Sequence, residues 1–198
     1  MTPKIILASS SPRRAEILGD AGFPFEIRAA IVEEASLPNE TALNMVARLA
    51  EWKARAVTES LEPNISAIVI GADTAVELDG KIFGKPRDAK DAREMLVSIS
   101  GRTHKVLTGI FALRLPDKIT KSAVEITAVT FAPLAPPEIE SYVASGEPFD
   151  KAGGYAIQGR AGRYIPRIEG CYFNVVGLPL ARLYALLREL DWQEDSPI

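Results

Sequence analysis

Short apolar runs separated by longer amphipathic stretches run through this chain, the pattern of strands interspersed with helices. Ile5-Ile6-Leu7 reads as a buried strand, and residues 12–22 as a short helix with Pro12 in its first turn and Gly22 just past its end. Ala42, Val46, Leu49, Ala50 and Val57 recur at helical spacing, which predicts a long helix over about 40–60 with Asn39 as its cap. Residues 66–72 form an apolar run that reads as a buried central strand, and 75–83 a hairpin turning at Asp79-Gly80. Asp88 caps a helix through about Ile99, with Ala92, Leu96 and Ile99 inward. Residues 104–115 and 122–134 are strand-like, joined by a polar turn around Pro116-Asp117. Pro136-Pro137 starts a helix that Gly146 ends, 164–176 is again strand-like, and Pro179 opens a terminal helix through Leu190. The residues after Trp192 are expected to fray. No repeat or low-complexity segment interrupts this order, which predicts a mixed sheet in an α/β or α+β protein.

At 198 residues, 47% of them hydrophobic and 25% charged, the chain is expected to form one domain over 1–198, with two lobes around a central cleft as the open variant. A net charge of −3 argues against a protein that coats nucleic acid. No apolar run approaches the roughly 20 residues of a membrane span. Neither a secretory signal nor a disulfide is read, because the N-terminus lacks the signal pattern and Cys171 is the only cysteine. A cytoplasmic location is the expectation that follows.

Chemistry enters at Leu7-Ala8-Ser9-Ser10-Ser11-Pro12-Arg13-Arg14. A strand, a run of hydroxyls and a helix start with two arginines make an anion cradle, since first-turn N–H groups are unpaired and guanidinium forks match phosphate oxygens. The same residues also read as an ordinary capped helix start with solvated arginines. Asp73 and Thr74 follow the apolar strand, where a carboxylate can orient a divalent cation or take a proton from water, or simply close a turn. An aspartyl-phosphate phosphatase would place a second aspartate two residues on, and Ala75 stands there.

Lys53 falls on the apolar face of its helix, so it either snorkels to the surface or reaches an anion in a cleft. Lys85 sits in the stiff loop Gly84-Lys85-Pro86. Glu33-Glu34 suits a hard cation or solvent, and residues 150–159, with Asp150, Lys151, Gln158 and several glycines, read as a site lining or a surface loop. His104 reads as a strand-start residue and Cys171 as a small core filler. Together these are parts for handling a polyphosphate: Arg13, Arg14, Lys53, Lys85 and Lys151 as cations, Glu33, Glu34 and Asp73 as metal or base carboxylates. The Gly-x4-Gly-Lys-Ser/Thr loop is absent, which excludes a P-loop.

The octapeptide above, then Gly71-Ala72-Asp73-Thr74, Gly84-Lys85-Pro86, Ser100-Gly101-Arg102-Thr103-His104, Gly146-Glu147-Pro148, Asp150-Lys151-Ala152-Gly153, Ile157-Gln158-Gly159 and Val176-Gly177-Leu178-Pro179, resembles the Maf family of nucleotide pyrophosphatases. The resemblance spans nearly the whole chain in order. It implies a fold like that of the inosine-triphosphate pyrophosphatases, a mixed, bent sheet with helices around a deep groove. It implies metal-dependent hydrolysis of a nucleoside triphosphate to monophosphate and pyrophosphate, with magnesium or manganese as the expected cation. The family's catalytic base falls on Asp73, and its phosphate- and metal-contacting positions on Ser9, Arg14, Glu34, Lys53 and Lys85. The subgroup acting on dTTP and UTP carries Arg, Thr and Gln at three positions, here Arg13, Thr74 and Gln158; the 7-methyl-GTP subgroup carries Trp, Gln and Glu. Trp52 and Cys171 depart from the family's usual residues. A homodimer is an open expectation. The rival readings are a nucleotide or nucleic-acid binding module linked to septum formation, and a phosphatase releasing inorganic phosphate.

Overall fold

The computed structural model describes residues 2–193, so the expected fraying of the tail lies, beyond Gln193, outside the described residues. The strands are β1 (Lys4–Leu7), β2 (Phe25–Ile27), β3 (Ala67–Leu78), β4 (Lys81–Phe83), β5 (Thr103–Leu115), β6 (Thr120–Thr130) and β7 (Arg167–Glu169). The helices are α1 (Pro12–Asp20), α2 (Ala42–Thr58), α3 (Ala89–Ile99), α4 (Pro136–Ala144), α5 (Tyr172–Val176) and α6 (Leu180–Glu189). One mixed sheet runs in the order β2-β1-β3-β5-β6-β7, with β4 on the outer edge of β3. The expected class and mixed sheet are therefore present. No described helix is long and apolar enough to cross a membrane.

Strand periodicity sorts the core. Ile68, Ile70 and Ala72 of β3 pack with α1 and α6, and Val76 and Leu78 farther along the same face pack with α3 and α4. Ala67 and Val69 face the other way, against Ala50, Ala54 and Val57 of α2. α2 approaches the sheet unusually closely because two strand positions lack side chains. A Cβ on Gly71 would lie 2.0 Å from the Ala50 carbonyl oxygen, and one on Gly109 of β5 would lie 2.3 Å from that of Val46.

The sequence pattern misplaces three details. α2 is capped by Thr41, whose Oγ1 accepts the Asn44 N–H at 3.2 Å, while Asn39 occupies a left-handed turn with φ of 59°. β3 does not stop at Ala72. Asp73 and Thr74 interrupt its apolar run but stay paired with Gly109 and Thr108 of β5, and the strand continues to the Asp79-Gly80 turn. The third error is the strand expected over 164–176. Only β7 forms there, preceded by a 3₁₀ turn at Arg160–Tyr164 and followed by α5. The segment Tyr172–Val176 has strand-like composition, but Asn174 is fully buried and its amide donates to the Val106 carbonyl (3.0 Å) and Thr127 Oγ1 (2.8 Å). That anchorage on β5 and β6 outweighs intrinsic preference.

Candidate active site

The long strand β3 has a neighbour on its outer edge at both ends but not in the middle. β1 pairs with it through Ile70, β4 from Val76 onward, and residues 71–75 lie in the gap. Each flanking strand turns away at the gap and delivers a loop beside it. β1 leads into Ser9–Arg14, and β4 into Gly84-Lys85. Consecutive strand residues point to opposite faces, so Asp73 faces α2 while Thr74 faces α1 and α5. A cleft of about 380 Å³ opens at this gap and takes its lining from both faces.

Ser9, Arg13, Arg14, Glu34, Lys53, Asp73, Thr74, Lys85, Lys151 and Gln158, scattered over the sequence, all line this cleft. Among the lining residues Glu33 is absent, and it is exposed. Asp73 was expected just beyond a strand end; it stands inside β3, and the gap in the edge is what exposes it. Sequence reading named neither Thr108 nor Asn174, the buried polar residues behind the cleft, nor the close contact at Gly109. A threonine and a glycine inside the apolar run of β5 were the available signal.

On the α2 face, Lys53 is buried and reaches two carboxylates. Its Nζ lies 2.6 Å from Asp73 Oδ1 and 2.7 Å from Glu34 Oε1. The apolar stripe of α2 and the close helix–sheet contact put the ammonium there, so the snorkelling alternative fails. Lys85 Nζ lies 3.9 Å from Glu34 Oε2. Burial pushes the Glu34 carboxyl upward, but its hydrogen bond to Lys53 and the charges of Lys53, Lys85 and Arg14 outweigh that and hold it below the usual range.

On the opposite face Arg14 is buried, and each of its three nitrogens donates to a neutral oxygen. Nε donates to the Gly177 carbonyl (2.8 Å), one terminal nitrogen to Ser9 Oγ (3.2 Å) and the other to Thr74 Oγ1 (3.1 Å). Burial draws its pKa below the ordinary guanidinium value, against the pull of Asp73 and Glu34. At the rim Arg13 pairs with Asp150 at 3.2 Å, and Asp150 also pairs with Lys151, which donates to the Glu147 carbonyl at 2.7 Å. Gln158 is exposed beside them.

His104 is buried away from the cleft lining, as a structural residue. Its Nε2 lies 2.6 Å from the hydroxyl of Tyr155, which itself lines the cleft. Cys171 is half-buried rather than a core residue, and both its backbone polar groups bond to Thr127 Oγ1.

A model of the Maf-like protein family matches residues 4–190. The chain is 50% identical to the dTTP/UTP pyrophosphatase of Anaeromyxobacter sp. (strain Fw109-5), over all of this chain and 95% of that one. It is also 50% identical to the dTTP/UTP pyrophosphatase of Carboxydothermus hydrogenoformans, over 94% and 98% of the two chains. Among solved structures, the Staphylococcus aureus Ham1 protein shares the fold, with a TM-score of 0.52 at 15% identity over 94% of this chain and 99% of that one. Family match, relatives and shared fold agree with the order of motifs along the sequence, and the chain belongs to the Maf family.

Proposed function

We propose that the protein hydrolyses nucleoside triphosphates, dTTP and UTP before others, to the monophosphate and pyrophosphate. The observation that carries this reading is Arg14. A buried guanidinium normally sits against a carboxylate, and this one makes no ion pair among the described residues. Its charge faces a cleft also lined by Arg13, Lys53, Lys85 and Lys151, so the missing counter-charge is supplied by a polyanion. The names of the relatives above support the nucleotide and its base.

In this reading the triphosphate lies along Ser9–Arg14, held by hydroxyls, helix N–H groups and the Arg14 fork. Asp73 takes the proton of the attacking water. Its Oδ1 is engaged by Lys53, while Oδ2 has no hydrogen-bond partner among the described residues and is free to do so. Lys53 holds Asp73 in place before substrate arrives, and its ammonium is then positioned to meet charge developing on phosphate oxygens. Arg13, Thr74 and Gln158 form the side of the cleft assigned to the base.

A divalent cation fits the donor set in one particular way. No group of three or more carboxylate, histidine or cysteine side chains gathers among the described residues. Glu34 and Asp73, hard oxygen donors on either side of Lys53, would hold it together with substrate phosphates, as magnesium is usually held at nucleotide sites. There it would neutralise phosphate charge.

The deciding experiment is a panel of nucleoside triphosphates incubated with the protein and Mg²⁺ or Mn²⁺, with products separated by chromatography. dTMP and UMP with equimolar pyrophosphate are expected. Diphosphate plus inorganic phosphate would make the protein a phosphatase, and binding without turnover would make it a binding module; either result overturns the proposal.

A further inference from the structure

Behind the Arg14 side of the cleft, hydrogen bonds run from Thr74 to two buried residues that the chemistry above leaves unused. Thr74 Oγ1 lies 2.9 Å from Thr108 Oγ1, and Thr108 Oγ1 lies 3.2 Å from the backbone carbonyl oxygen of Asn174. Thr108 and Asn174 are both completely buried, and neither lines the cleft. Yet Thr108 bonds to Thr74, which holds Arg14, and Asn174 stands three residues before Gly177, whose carbonyl also holds it.

Proton counting fixes the direction of this chain. A carbonyl only accepts, so the single proton of Thr108 is committed to Asn174. In the pair between hydroxyls, Thr74 must therefore be the donor. Its own single proton points inward, away from the guanidinium, and its oxygen accepts the Arg14 N–H at 3.1 Å. The alternative acceptor for the Thr74 proton, the Gly177 carbonyl, is farther away at 3.5 Å.

Asn174 anchors the other end of the cradle. It sits on α5, only five residues long, whose following residue Gly177 presents the carbonyl that Arg14 Nε bonds. The Asn174 amide ties that short helix to β5 through Val106 and to β6 through Thr127. We infer that Thr108 and Asn174 are positioning residues for anion binding: together they set the hydrogen-bond polarity of Thr74 and the place of the Gly177 carbonyl, and so hold the Arg14 fork toward the cleft. The inference rests on the proposed role of Arg14 in holding phosphate.

The test is binding of inorganic pyrophosphate, measured by calorimetry in the presence of Mg²⁺, to the native protein and to Thr108→Val and Thr108→Ser. Thr108→Val keeps the shape and removes the proton, and should weaken pyrophosphate binding about tenfold. Thr108→Ser should stay within about twofold of native. If the valine variant does not fold, Thr108→Cys, a weak donor, replaces it. A double-mutant cycle with Arg14→Met separates positioning from general packing: Thr108→Val should add less than about twofold once Arg14 is gone. Native-like binding by Thr108→Val, no recovery with serine, or additive losses in the cycle would each overturn the inference. A native protein that binds pyrophosphate but cleaves no nucleotide would instead end the functional reading alone, and one that binds no pyrophosphate would end both.

Discussion

Lys53 Nζ stands 2.6 Å from Asp73 Oδ1 with both side chains largely buried, and the same ammonium reaches Glu34 on its far side. One cation thus serves two carboxylates. Lys53→Met keeps the stem's packing but leaves Asp73 as a buried charge facing a second carboxylate. Breaking a buried pair from one side costs about 3–5 kcal/mol, so the variant should lose stability at pH 7 as well as activity. Adding Asp73→Asn should restore much of that stability and none of the turnover. Denaturant melts of the single and double variants check this; unchanged stability in Lys53→Met would mean that the pair is dispensable to the fold.

Asp73→Asn alone should fold normally and lose at least about 10²-fold in kcat, because the amide preserves size while removing the proton acceptor. Steady-state kinetics on the preferred triphosphate measure it. Activity within a few-fold of native would remove Asp73 from the mechanism.

Hydrolysis in ¹⁸O-labelled water should place the label in the monophosphate. This outcome requires attack at the α-phosphorus, with pyrophosphate as leaving group. Mass spectrometry of the products reads it directly, and label in pyrophosphate would relocate the attacked atom.

His104 gives a pH dependence unrelated to catalysis. Burial lowers its pKa from 6.5 to about 4, and its Nδ1 has no hydrogen-bond partner to receive a second proton. The unfolded chain therefore binds more protons than the folded one between these values. The stability this contributes is complete above about pH 7 and is lost as pH falls toward 4, by about 3 kcal/mol in all. Because His104 is the only histidine in the sequence, its imidazole resonances are unambiguous. NMR titration should find a midpoint near 4, and His104→Gln should flatten the stability profile between pH 4 and 6.5. A midpoint near 6.5 would contradict the burial.

The readable parts of the sequence were those with local causes. Lys53 was conspicuous because it broke the apolar stripe of α2, and Asp79-Gly80 marked its hairpin because both residues adopt positive φ, 52° and 79°. The cleft residues were collected by the order of motifs, but their convergence depends on the gap in β3, which pairing with two different strands creates. Nothing local to Asp73 and Thr74 announces that the strand continues through them. α5 was misread for a related reason: the partners of Asn174 are 68 and 47 residues away in sequence. Distant hydrogen bonds decided its shape.

The bare strand positions beneath α2 give the site a dimension that its polar residues cannot set for themselves. How far a lysine at position 53 extends toward Asp73 depends on how high the helix rides, and that height is fixed by backbone touching backbone at Gly71 and Gly109. One added carbon at either glycine would collide with a carbonyl oxygen of α2, lift the helix and carry the ammonium away from both carboxylates. Varying the polar lining alone would leave that reach untouched. The calibration of the charge centre is thus written in atoms that are missing, at two residues that offer nothing to a substrate.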